Sequence, residues 1–433
     1  MTTTIVAIFL IVYLGMLLGE LPFLQIDRTG VALLGAIALV SFDAVSLEAA
    51  ADAVHLPTII LLFSFMVLSA QMRLGGFYDW VTRGLAGLPL SPPLLLGAMM
   101  LAVAVLSAVF SNDIICLAVA PVLIHACSRL RLDPVPYLLA LACSANIGSA
   151  WTLIGNPQNM LIGQTLRLSF AGYSAEAALP VALGLAATWA IIAWQSRGRW
   201  DESAELAANV HPSPLGRGAG VREELARPVA LVAGNDDEAP LDSWQTAKGL
   251  VIAALLLGAF LFSSLPREHV ALTAAGVLLM SRKLHTTKTL GLVDWELLIL
   301  FMGLFVVNHA LQQTGLATAL VKDFAAFGFD LRQPGPLFAG TFVLSNLVSN
   351  VPAVMLLLPF SDHAFAGPLL ALVSTLAGNL LIVGSIANII VVDAARRRDI
   401  RIDWRRHARV GVPVTLVTLA ITAGYLWLRV QIP

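Results

Sequence analysis

The sequence predicts an all-α polytopic membrane protein. Two inverted repeats are expected, each of five transmembrane helices plus one re-entrant hairpin, with broken helices at the midplane. Three observations predict this class: the composition, apolar runs of spanning length, and a pair of polar motifs that occurs twice. Of 433 residues, 58% are hydrophobic and 12% are charged, whereas an ordinary globular domain carries about a quarter charged residues. The chain is therefore expected to lie in a lipid bilayer.

Apolar runs recur along the whole chain. A membrane-spanning helix needs about 20 mostly apolar residues, and tilting covers small mismatches. Runs near that length lie at 5–19, 29–42, 56–72, 93–128, 171–195, 246–263, 268–281, 294–311, 335–360 and 408–428. We therefore expect about ten spans, of which 29–42 and 268–281 are the weakest. The first run lacks a positive n-region and a cleavage site, so it is interpreted as a retained span.

The distribution of Lys and Arg predicts an orientation, because cytoplasmic loops carry an excess of both. With the N-terminus outside, 19 of the 26 Lys and Arg residues lie inside and 7, including Arg129 and Arg131, lie outside. This count requires 136–163 and 367–392 to be re-entrant hairpins, since a single crossing by each would put Arg396–Arg409 outside. We expect a multi-pass protein of the plasma (bacterial inner) membrane with both termini outside.

Other classes of protein are disfavoured by the composition. The formal net charge is −1 and no basic tract is present, so nucleic acid is not an expected partner. Cys116, Cys127 and Cys143 lie in apolar runs without CxxC spacing, which argues against a disulfide framework. As thiolates they could bind a soft metalloid, but small buried side chains are the preferred interpretation. No cofactor is expected.

Residues 196–245 interrupt the apolar pattern with Pro, Gly and charged residues, and predict a flexible cytoplasmic linker. The linker separates a first repeat, 1–195, from a second, 246–433. "VFSNDIICLAVAP" (109–121) aligns with "LVSNVPAVMLLLP" (347–359), and "ANIGSAWTLIGNPQN" (145–159) aligns with "AGNLLIVGSIAN" (377–388). Two motifs in the same order indicate an internal repeat. Since each half has an odd number of spans, the second half is inverted, as is typical of secondary transporters.

The motifs predict a polar site inside the membrane. "SND" (111–113) and "SNVP" (349–352) fall within apolar runs, where a broken helix survives only if protein or water lines the break. A helix N-terminus at a break favours an anion, and unwound carbonyls favour a cation. The candidate substrate- and ion-binding residues are Ser111, Asn112, Asp113, Asn146, Gly148, Asn156, Asn159, Ser349, Asn350, Asn379, Gly384, Ser385 and Asn388. A structural role, in which these residues only bond and pack neighbouring helices, is the alternative.

Asp113 is the one carboxylate predicted deep in the apolar core. An ionisable group inside a membrane is by default a functional hypothesis. Asp113 could bind a cation, carry a proton, or hold a neighbouring helix through a Ser or Asn. No metal site is expected, apart from Na⁺ at the Ser111–Asn112 and Ser349–Asn350 breaks.

Through these motifs the chain resembles the ion transporter superfamily. The closest branch holds arsenite efflux permeases, D-type sodium/proton antiporters, the melanocyte P protein and related anion permeases, while divalent anion/sodium symporters are more distant. The resemblance implies a scaffold part, a moving transport part, an elevator-type mechanism and commonly a homodimer. It also implies that Ser111, Asn112, Asn146, Gly148, Ser349 and Asn350 help to form the binding and ion sites. By the same resemblance, Gly155, Asn156, Asn159, Gly384, Ser385 and Asn388 shape the hairpin tips.

The chain departs from the antiporter branch in two places. That branch usually has Asp-Pro-Pro-Asn at 156–159 and Asp-Asn at 349–350, where this chain has Asn-Pro-Gln-Asn and Ser-Asn. The expected function is therefore secondary transport of a small inorganic or organic anion, or of a metalloid oxyacid such as arsenite, coupled to H⁺ or Na⁺ or driven by a separate ATPase. A sodium/proton antiporter is the alternative. A membrane enzyme or receptor ranks last, since no HExxH, GxSxG or P-loop motif is present.

Overall fold

A computed structural model describes residues 1–19, 26–200 and 241–431, and this part of the chain is helical without β-strands. Ten helices precede the undescribed stretch 201–240: α1 Thr2–Leu18, α2 Arg28–Ser41, α3 Leu47–Ala53, α4 Leu56–Leu74, α5 Phe77–Ala86, α6 Pro92–Val109, α7 Asn112–Leu130, α8 Pro134–Ser149, α9 Pro157–Thr165 and α10 Phe170–Gln195. Several of these helices are preceded by a residue whose side chain accepts a hydrogen bond from a first-turn amide. Examples are Asp133 before α8 and Ser169 before α10.

Ten more helices follow the undescribed stretch: α11 Ser243–Phe262, α12 Arg267–Leu279, α13 Thr286–Leu290, α14 Trp295–Gln313, α15 Leu316–Ala326, α16 Pro334–Val348, α17 Asn350–Leu357, α18 Ala366–Ala377, α19 Ile386–Arg396 and α20 Trp404–Gln431. Seven helices of the described part are long and apolar enough to cross a membrane, namely α4, α6, α7, α10, α11, α14 and α20. The predicted multi-pass helical class is confirmed at this level.

Several predicted boundaries differ from the structure. The apolar run 93–128 is two helices, α6 and α7, and the run 335–360 is divided between α16 and α17. The weak runs 29–42 and 268–281 form helices of only 14 and 13 residues. Most of the predicted linker, 196–245, lies outside the described residues, and its described end already belongs to α11, which begins at Ser243.

The helices pack in two groups. One group contains α1–α5 and α11–α15, in which α2 packs on α14 and α4 packs on α12. The other contains α6–α10 and α16–α20, in which α6 packs on α8, α16 on α18, and α10 on α20. Contacts between the groups include α4 with α9, α5 with α7 and α14 with α17. Each group therefore draws helices from both halves of the chain.

Helices α6 and α7 fold back on each other. The Tyr137 hydroxyl, in the first turn of α8, donates to the carbonyl oxygen of Pro92 at the start of α6 (3.0 Å). Helix α7 ends at Leu130, only four residues before α8 begins, so its end lies beside the start of α6. The turn between α6 and α7, at Phe110 and Ser111, lies inside the protein, where the amide of Asn112 donates to the carbonyl of Gly155.

Helices α8 and α9, in contrast, do not fold back. Helix α8 begins at the end of the bundle that holds Asp133, Gln195 and Arg409, which we call face A. Helix α10 has 26 residues and is therefore about 39 Å long. Since α10 ends at face A, it begins at the other end, face B, which holds Glu176 and Arg429. Helix α9 ends just before α10 begins, so α8 and α9 together run from face A to face B.

The second half also contains one helix pair that folds back and one that does not. Asp362, just before α18, forms an ion pair (3.7 Å) with Arg332, just before α16, so α16 and α18 begin together. Arg429 lies over the ring of Phe365, 6.0 Å from its centroid, which places the start of α18 at face B. Helix α19 ends at Arg396, shortly before α20 begins at face A. The pair α16–α17 therefore folds back from face B, and α18–α19 runs from face B to face A.

The structure differs from the expectation that 136–163 and 367–392 form the hairpins. The chain folds back at the two Ser-Asn motifs, and the two longer motifs interrupt helix pairs that continue through the bundle. Helices α6 and α7 are each long enough to span a bilayer. However, the buried contact between Asn112 and Gly155 shows that their turn lies within the protein.

Candidate functional site

Four interruptions of helices meet in the interior of the protein. They are the turns before α7 and α17 and the non-helical segments before α9 and α19. Asn146, near the end of α8, joins three of them: its Oδ1 accepts from Asn112 Nδ2 (3.2 Å) and Ser385 Oγ (2.9 Å). Its Nδ2 donates to Asn379 Oδ1 (2.9 Å) and Asn388 Oδ1 (3.3 Å). The structure thus brings together five of the residues singled out in the sequence.

A second set of hydrogen bonds extends this cluster. Asn156 begins α9, and its Nδ2 donates to Ser149 Oγ (3.0 Å) and to Thr375 Oγ1 (3.1 Å). Gln158 also donates to Thr375 Oγ1 (3.1 Å). Three of these residues, Ser149, Gln158 and Thr375, were not predicted from the sequence. Ser149 and Gln158 lie inside the motif at 145–159, and Thr375 lies one helical turn before Asn379. The signal that could have found them is their closeness in sequence to a predicted site asparagine.

Two glycines permit the close packing that surrounds the cluster. A Cβ on Gly148 would lie 2.7 Å or less from backbone atoms of Ala104 in α6, and a Cβ on Gly155 would lie 2.8 Å from the carbonyl oxygen of Ser107. Asn159 is fully buried and donates to the carbonyl of Thr152 (3.0 Å) and to the hydroxyl of Tyr173 (3.2 Å). These contacts hold the segment between α8 and α9 against α6.

The turn before α17 differs in backbone conformation from the turn before α7. Ser349 has φ 78°, in the left-handed region, whereas Ser111 has φ −57°. A Cβ on Gly378 would lie 3.1 Å from Asn350 Nδ2, so Asn350 reaches the segment that follows α18. Gly384 approaches the carbonyl of Gly378 in the same segment. Asn388 Nδ2 donates to the carbonyls of Gly378 (2.8 Å) and Leu381 (2.9 Å), which closes the segment before α19.

Several polar atoms of the cluster are buried without a hydrogen-bond partner among the described residues. They include Asn112 Oδ1, Asn350 Oδ1 and Asn379 Nδ2. A buried polar atom without a partner costs about 1–3 kcal/mol, so such atoms at one place form a polar site that ordered water or a ligand can satisfy. Amide oxygens can coordinate a cation such as Na⁺ or accept from a hydroxyl, and an amide nitrogen can donate to an oxyanion.

Helix N-termini add to the polarity of the site. Helices α7, α17 and α19 begin at the cluster, and none of them has a side chain that accepts a hydrogen bond from its first amides. The N-terminal end of a helix carries a partial positive charge and favours an anion. Helix α17 is only eight residues long, so α7 provides the stronger of the two dipoles at the Ser-Asn turns.

Asp113 lies in the first turn of α7 beside Asn112 and is half-buried. In the described part of the chain its carboxylate makes no hydrogen bond or ion pair. The helix-clamp interpretation, in which Asp113 holds a neighbouring Ser or Asn, therefore has no contact to support it among these residues. The described residues also contain no cluster of His, Cys, Asp and Glu that could hold a metal ion. Cys116, Cys127 and Cys143 are buried and free.

Comparison with known proteins identifies the family. The model of CitMHS, the citrate transporter family, matches residues 9–377. The chain belongs to this family. It is 28% identical to the silicon efflux transporter LSI3 of Oryza sativa subsp. japonica, over 93% of each chain. It is 24% identical to the transporter arsB of Dictyostelium discoideum, over 92% of this chain and 87% of that one.

The chain is also 27% identical to the 46 kDa membrane protein of Mycobacterium leprae (strain TN) over 94% of each chain. Among solved structures, the Alcanivorax borkumensis YdaH transporter aligns over 100% of this chain with a TM-score of 0.51 and 13% identity, which shows a common fold. The resemblance to the ion transporter superfamily and its arsenite-permease branch is confirmed. The protein is a membrane transporter of the citrate/arsenite permease type.

Proposed function

We propose that this CitMHS protein is a secondary active transporter of a small, oxygen-rich solute, either an anion or a metalloid oxyacid. The observation that carries the proposal is the buried Asn146 cluster, in which amides from four helix interruptions converge and leave polar atoms unpaired. A transporter needs such a site to replace the hydration shell of its substrate inside the membrane. The expected binding residues are those selected from the sequence, with Ser149, Gln158 and Thr375 added.

The chemistry of the cluster favours neutral recognition of oxygen atoms. Among the described residues that bond to Asn146 or Asn156, none is Lys, Arg or His. Amides and hydroxyls can both donate to and accept from an oxyacid, and helix amides compensate a negative charge. The relatives named for silicon efflux and for arsB agree with a small oxyacid, and the family description agrees with citrate.

The coupling ion is proposed to be H⁺ or Na⁺, with Asp113 as the coupling group. Asp113 follows Asn112 in the first turn of α7, and Asn112 Oδ1 has no partner in the described chain. A cation bound at the Ser111–Asn112 turn would be held by this amide oxygen and compensated in charge by the nearby carboxylate. A sodium/proton antiporter of the same fold would use the same carboxylate without a second solute, and the uptake experiment below separates the two cases.

The architecture proposed for this site is an inverted repeat. The pair α6–α7 folds back from face A and α16–α17 folds back from face B, while α8–α9 and α18–α19 run in opposite directions through the bundle. The packing of α2 on α14 is matched by the packing of α12 on α4, as a twofold relation requires. We propose that the two folded-back pairs are the re-entrant hairpins.

The orientation proposed from the charges becomes stronger with this assignment. Arg129 and Arg131 then lie at face A, so the inside count rises from 19 to 21 of the 26 Lys and Arg residues and 5 remain outside. Exposed tryptophans, which favour the membrane–water interface, occur at helix ends on both faces: Trp194 and Trp404 at face A and Trp427 at face B. Face A is therefore proposed to be cytoplasmic, with both termini outside.

Transport is proposed to proceed by an elevator-type movement, and the protein is proposed to form a homodimer. The two packing groups support the movement, because the candidate site lies within the group α6–α10 with α16–α20. That group could move as a unit against α1–α5 with α11–α15, which would then provide the scaffold and the dimer contact.

Uptake into proteoliposomes tests the proposed function. Purified protein is reconstituted, and accumulation of citrate, arsenite and silicic acid is measured with imposed proton and sodium gradients separately. We expect one of these solutes to accumulate under one gradient, and Asn146→Ala to abolish it. Exchange of Na⁺ for H⁺ without any solute would identify an antiporter. No solute-dependent flux and no ion exchange would contradict the proposal.

A further inference from the structure

A second polar feature lies at face A, away from the Asn146 cluster. A partly open cavity of about 730 Å³ is bordered by the start of α8, the end of α10 and the start of α20. Its charged lining consists of four arginines, Arg197, Arg199, Arg406 and Arg409, and one carboxylate, Asp133. Arginine stays protonated in proteins, so the lining carries an excess of positive charge. Asp133 and Arg406 have other interaction partners, which leaves Arg197, Arg199 and Arg409 as the candidate ligand-binding arginines. Arg199 Nη2 also donates to the carbonyl of Gln195 (3.2 Å).

The remainder of the lining is largely apolar. It includes Val135 and Leu139 of α8, Ile192 of α10 and Val410 of α20. Trp194 also lines the cavity and is 66% exposed, as expected for a tryptophan at the interface between lipid and water. The Val, Leu and Ile residues of the lining are buried, whereas Arg197, Arg199 and Arg409 are exposed. A cavity with exposed arginines, buried apolar residues and an interfacial tryptophan matches an amphipathic anion better than a small soluble one.

We propose that this cavity binds the headgroup of an anionic phospholipid from the face A leaflet. The guanidinium groups of Arg197, Arg199 and Arg409 would contact the phosphate, since arginine binds phosphate oxygens in a bidentate manner. An acyl chain would lie along the apolar residues of the lining. Basic pockets between transmembrane helices on the cytoplasmic side are suited to such headgroups. The inference needs only the membrane location of the protein and is independent of the proposed substrate.

The position of the cavity connects the lipid to the candidate site. Val135 and Leu139 lie in the first turns of α8, and Asn146 lies near the end of the same helix. Helix α8 also packs on α6, α10 and α20. A lipid in the cavity would therefore contact the helix that carries the central asparagine, and would hold the ends of α10 and α20 at a fixed distance from it.

Native mass spectrometry of the purified full-length protein tests the site. The protein in detergent is titrated with phosphatidylglycerol or with phosphatidylcholine of the same acyl chains. We expect wild type to retain phosphatidylglycerol at a concentration about tenfold lower than phosphatidylcholine. The triple variant R197Q/R199Q/R409Q should lose this preference. A matched control, R282Q/R396Q/R398Q, removes the same charge from residues that do not line the cavity. This control should keep the preference for phosphatidylglycerol.

Two further measurements make the outcome decisive. R197K/R199K/R409K keeps the charge without the bidentate geometry and should keep part of the preference, which shows that the chain still folds. Glycerol phosphate and inorganic phosphate are added as competitors, and neither should displace the lipid at millimolar concentration. The proposal is overturned if the triple glutamine variant keeps the preference, if the control loses it equally, or if wild type has none. Displacement of the lipid by inorganic phosphate would instead assign the cavity to a soluble anion.

Discussion

At the scale of single residues, Asn146 has the largest role in the site, because its one amide group joins residues of both halves. It contacts Asn112, Asn379, Ser385 and Asn388. An amide is the only neutral side-chain group that offers two donors and a carbonyl acceptor at once. Buried polar groups that hydrogen-bond to one another favour a single arrangement of the side chains around them. Asn146 therefore both positions the interruptions and leaves atoms of its neighbours free for a ligand.

A prediction at this scale concerns Asp113. Asp113→Asn preserves the shape of the side chain and removes its charge, and a neutral amide costs less to bury than a lone carboxylate. The variant should fold and bind substrate, but its gradient-driven accumulation should fall by about tenfold or more if Asp113 carries the coupling ion. Accumulation and equilibrium exchange are both measured in proteoliposomes between pH 5 and 8.

The control for this variant is Asp323→Asn, which removes an exposed carboxylate in α15 and should leave accumulation unchanged. A helix-clamp role for Asp113 makes a different prediction, namely a lower melting temperature together with loss of binding. Wild-type coupling by Asp113→Asn at every pH tested would exclude the coupling role.

At the scale of helices, the close packing of α8 on α6 depends on Gly148. Gly148→Ala would push a Cβ into the backbone of Ala104, and backbone cannot move aside as a flexible side chain can. We expect destabilisation by about 1–3 kcal/mol or more, measured as a lower melting temperature in detergent, and loss of transport. Gly276→Ala is the matched control, because nothing lies within 4 Å of its added Cβ in the described structure. It should leave stability unchanged or raise it by about 0.5–1 kcal/mol. Equal effects of the two substitutions would disprove the packing argument.

Helix existence was predictable from the sequence, but the path of the chain was not. The run 93–128 has spanning hydrophobicity throughout, and the sequence located its interruption at Ser111 and Asn112. Whether an interrupted apolar segment folds back or continues depends on distant contacts, such as Tyr137 with Pro92. Such contacts leave no local pattern in the hydropathy. The prediction therefore placed the hairpins at the two longer motifs, whereas the chain folds back at the two Ser-Asn motifs.

The candidate site was predicted more completely than the path of the chain through the bundle. Asparagine and serine inside apolar runs are costly without partners, so their presence marks the interior polar cluster independently of topology. Asn112, Asn146, Asn379, Ser385 and Asn388 were all selected on that ground, and the structure joins them by hydrogen bonds. Thr375 was not selected, because a threonine in an apolar helix usually bonds its own backbone and so gives no distinct signal.

At the scale of the whole molecule, the proposed topology makes a prediction about the side of Arg129. The fold-back of α6 and α7 puts this residue at face A, whereas a single crossing by 93–128 puts it outside. Arg129→Cys should react with a membrane-impermeant maleimide from the same side as Arg398→Cys and from the opposite side to Arg332→Cys. The three native cysteines are buried, so the background should be low. Labelling of Arg129→Cys from the same side as Arg332→Cys would instead support a single crossing of the membrane by 93–128.

A second prediction at this scale concerns the predicted linker. We expect residues 201–240 to be replaceable by a Gly/Ser tether of about 20 residues with transport retained within about twofold, because their sequence is rich in Pro, Gly and charged residues and predicts a flexible linker. Trp200 and Asp242 must stay. The carbonyl of Trp200 accepts from the amide of Asp133, and Asp242 caps α11.

Transport by the shortened chain is compared with wild type at equal amounts of inserted protein. A matched variant that also removes Trp200 and Asp242 should lose stability, which distinguishes anchoring residues from the tether. Loss of transport by the first variant at unchanged melting temperature would assign a function to residues 201–240.

The interleaving of the two halves has a consequence for biogenesis. Helix α2 packs on α14, so the partner of a helix that ends at Ser41 is not synthesised until the ribosome reaches Trp295. At roughly 5–20 residues per second, this takes about 10–50 s. Asn146 likewise lacks its partners Asn379 and Asn388 from its own synthesis until these two residues are made. The first half of the nascent chain therefore requires protection in the membrane until the second half arrives, and a stalled ribosome between the halves would leave a substrate for membrane quality control.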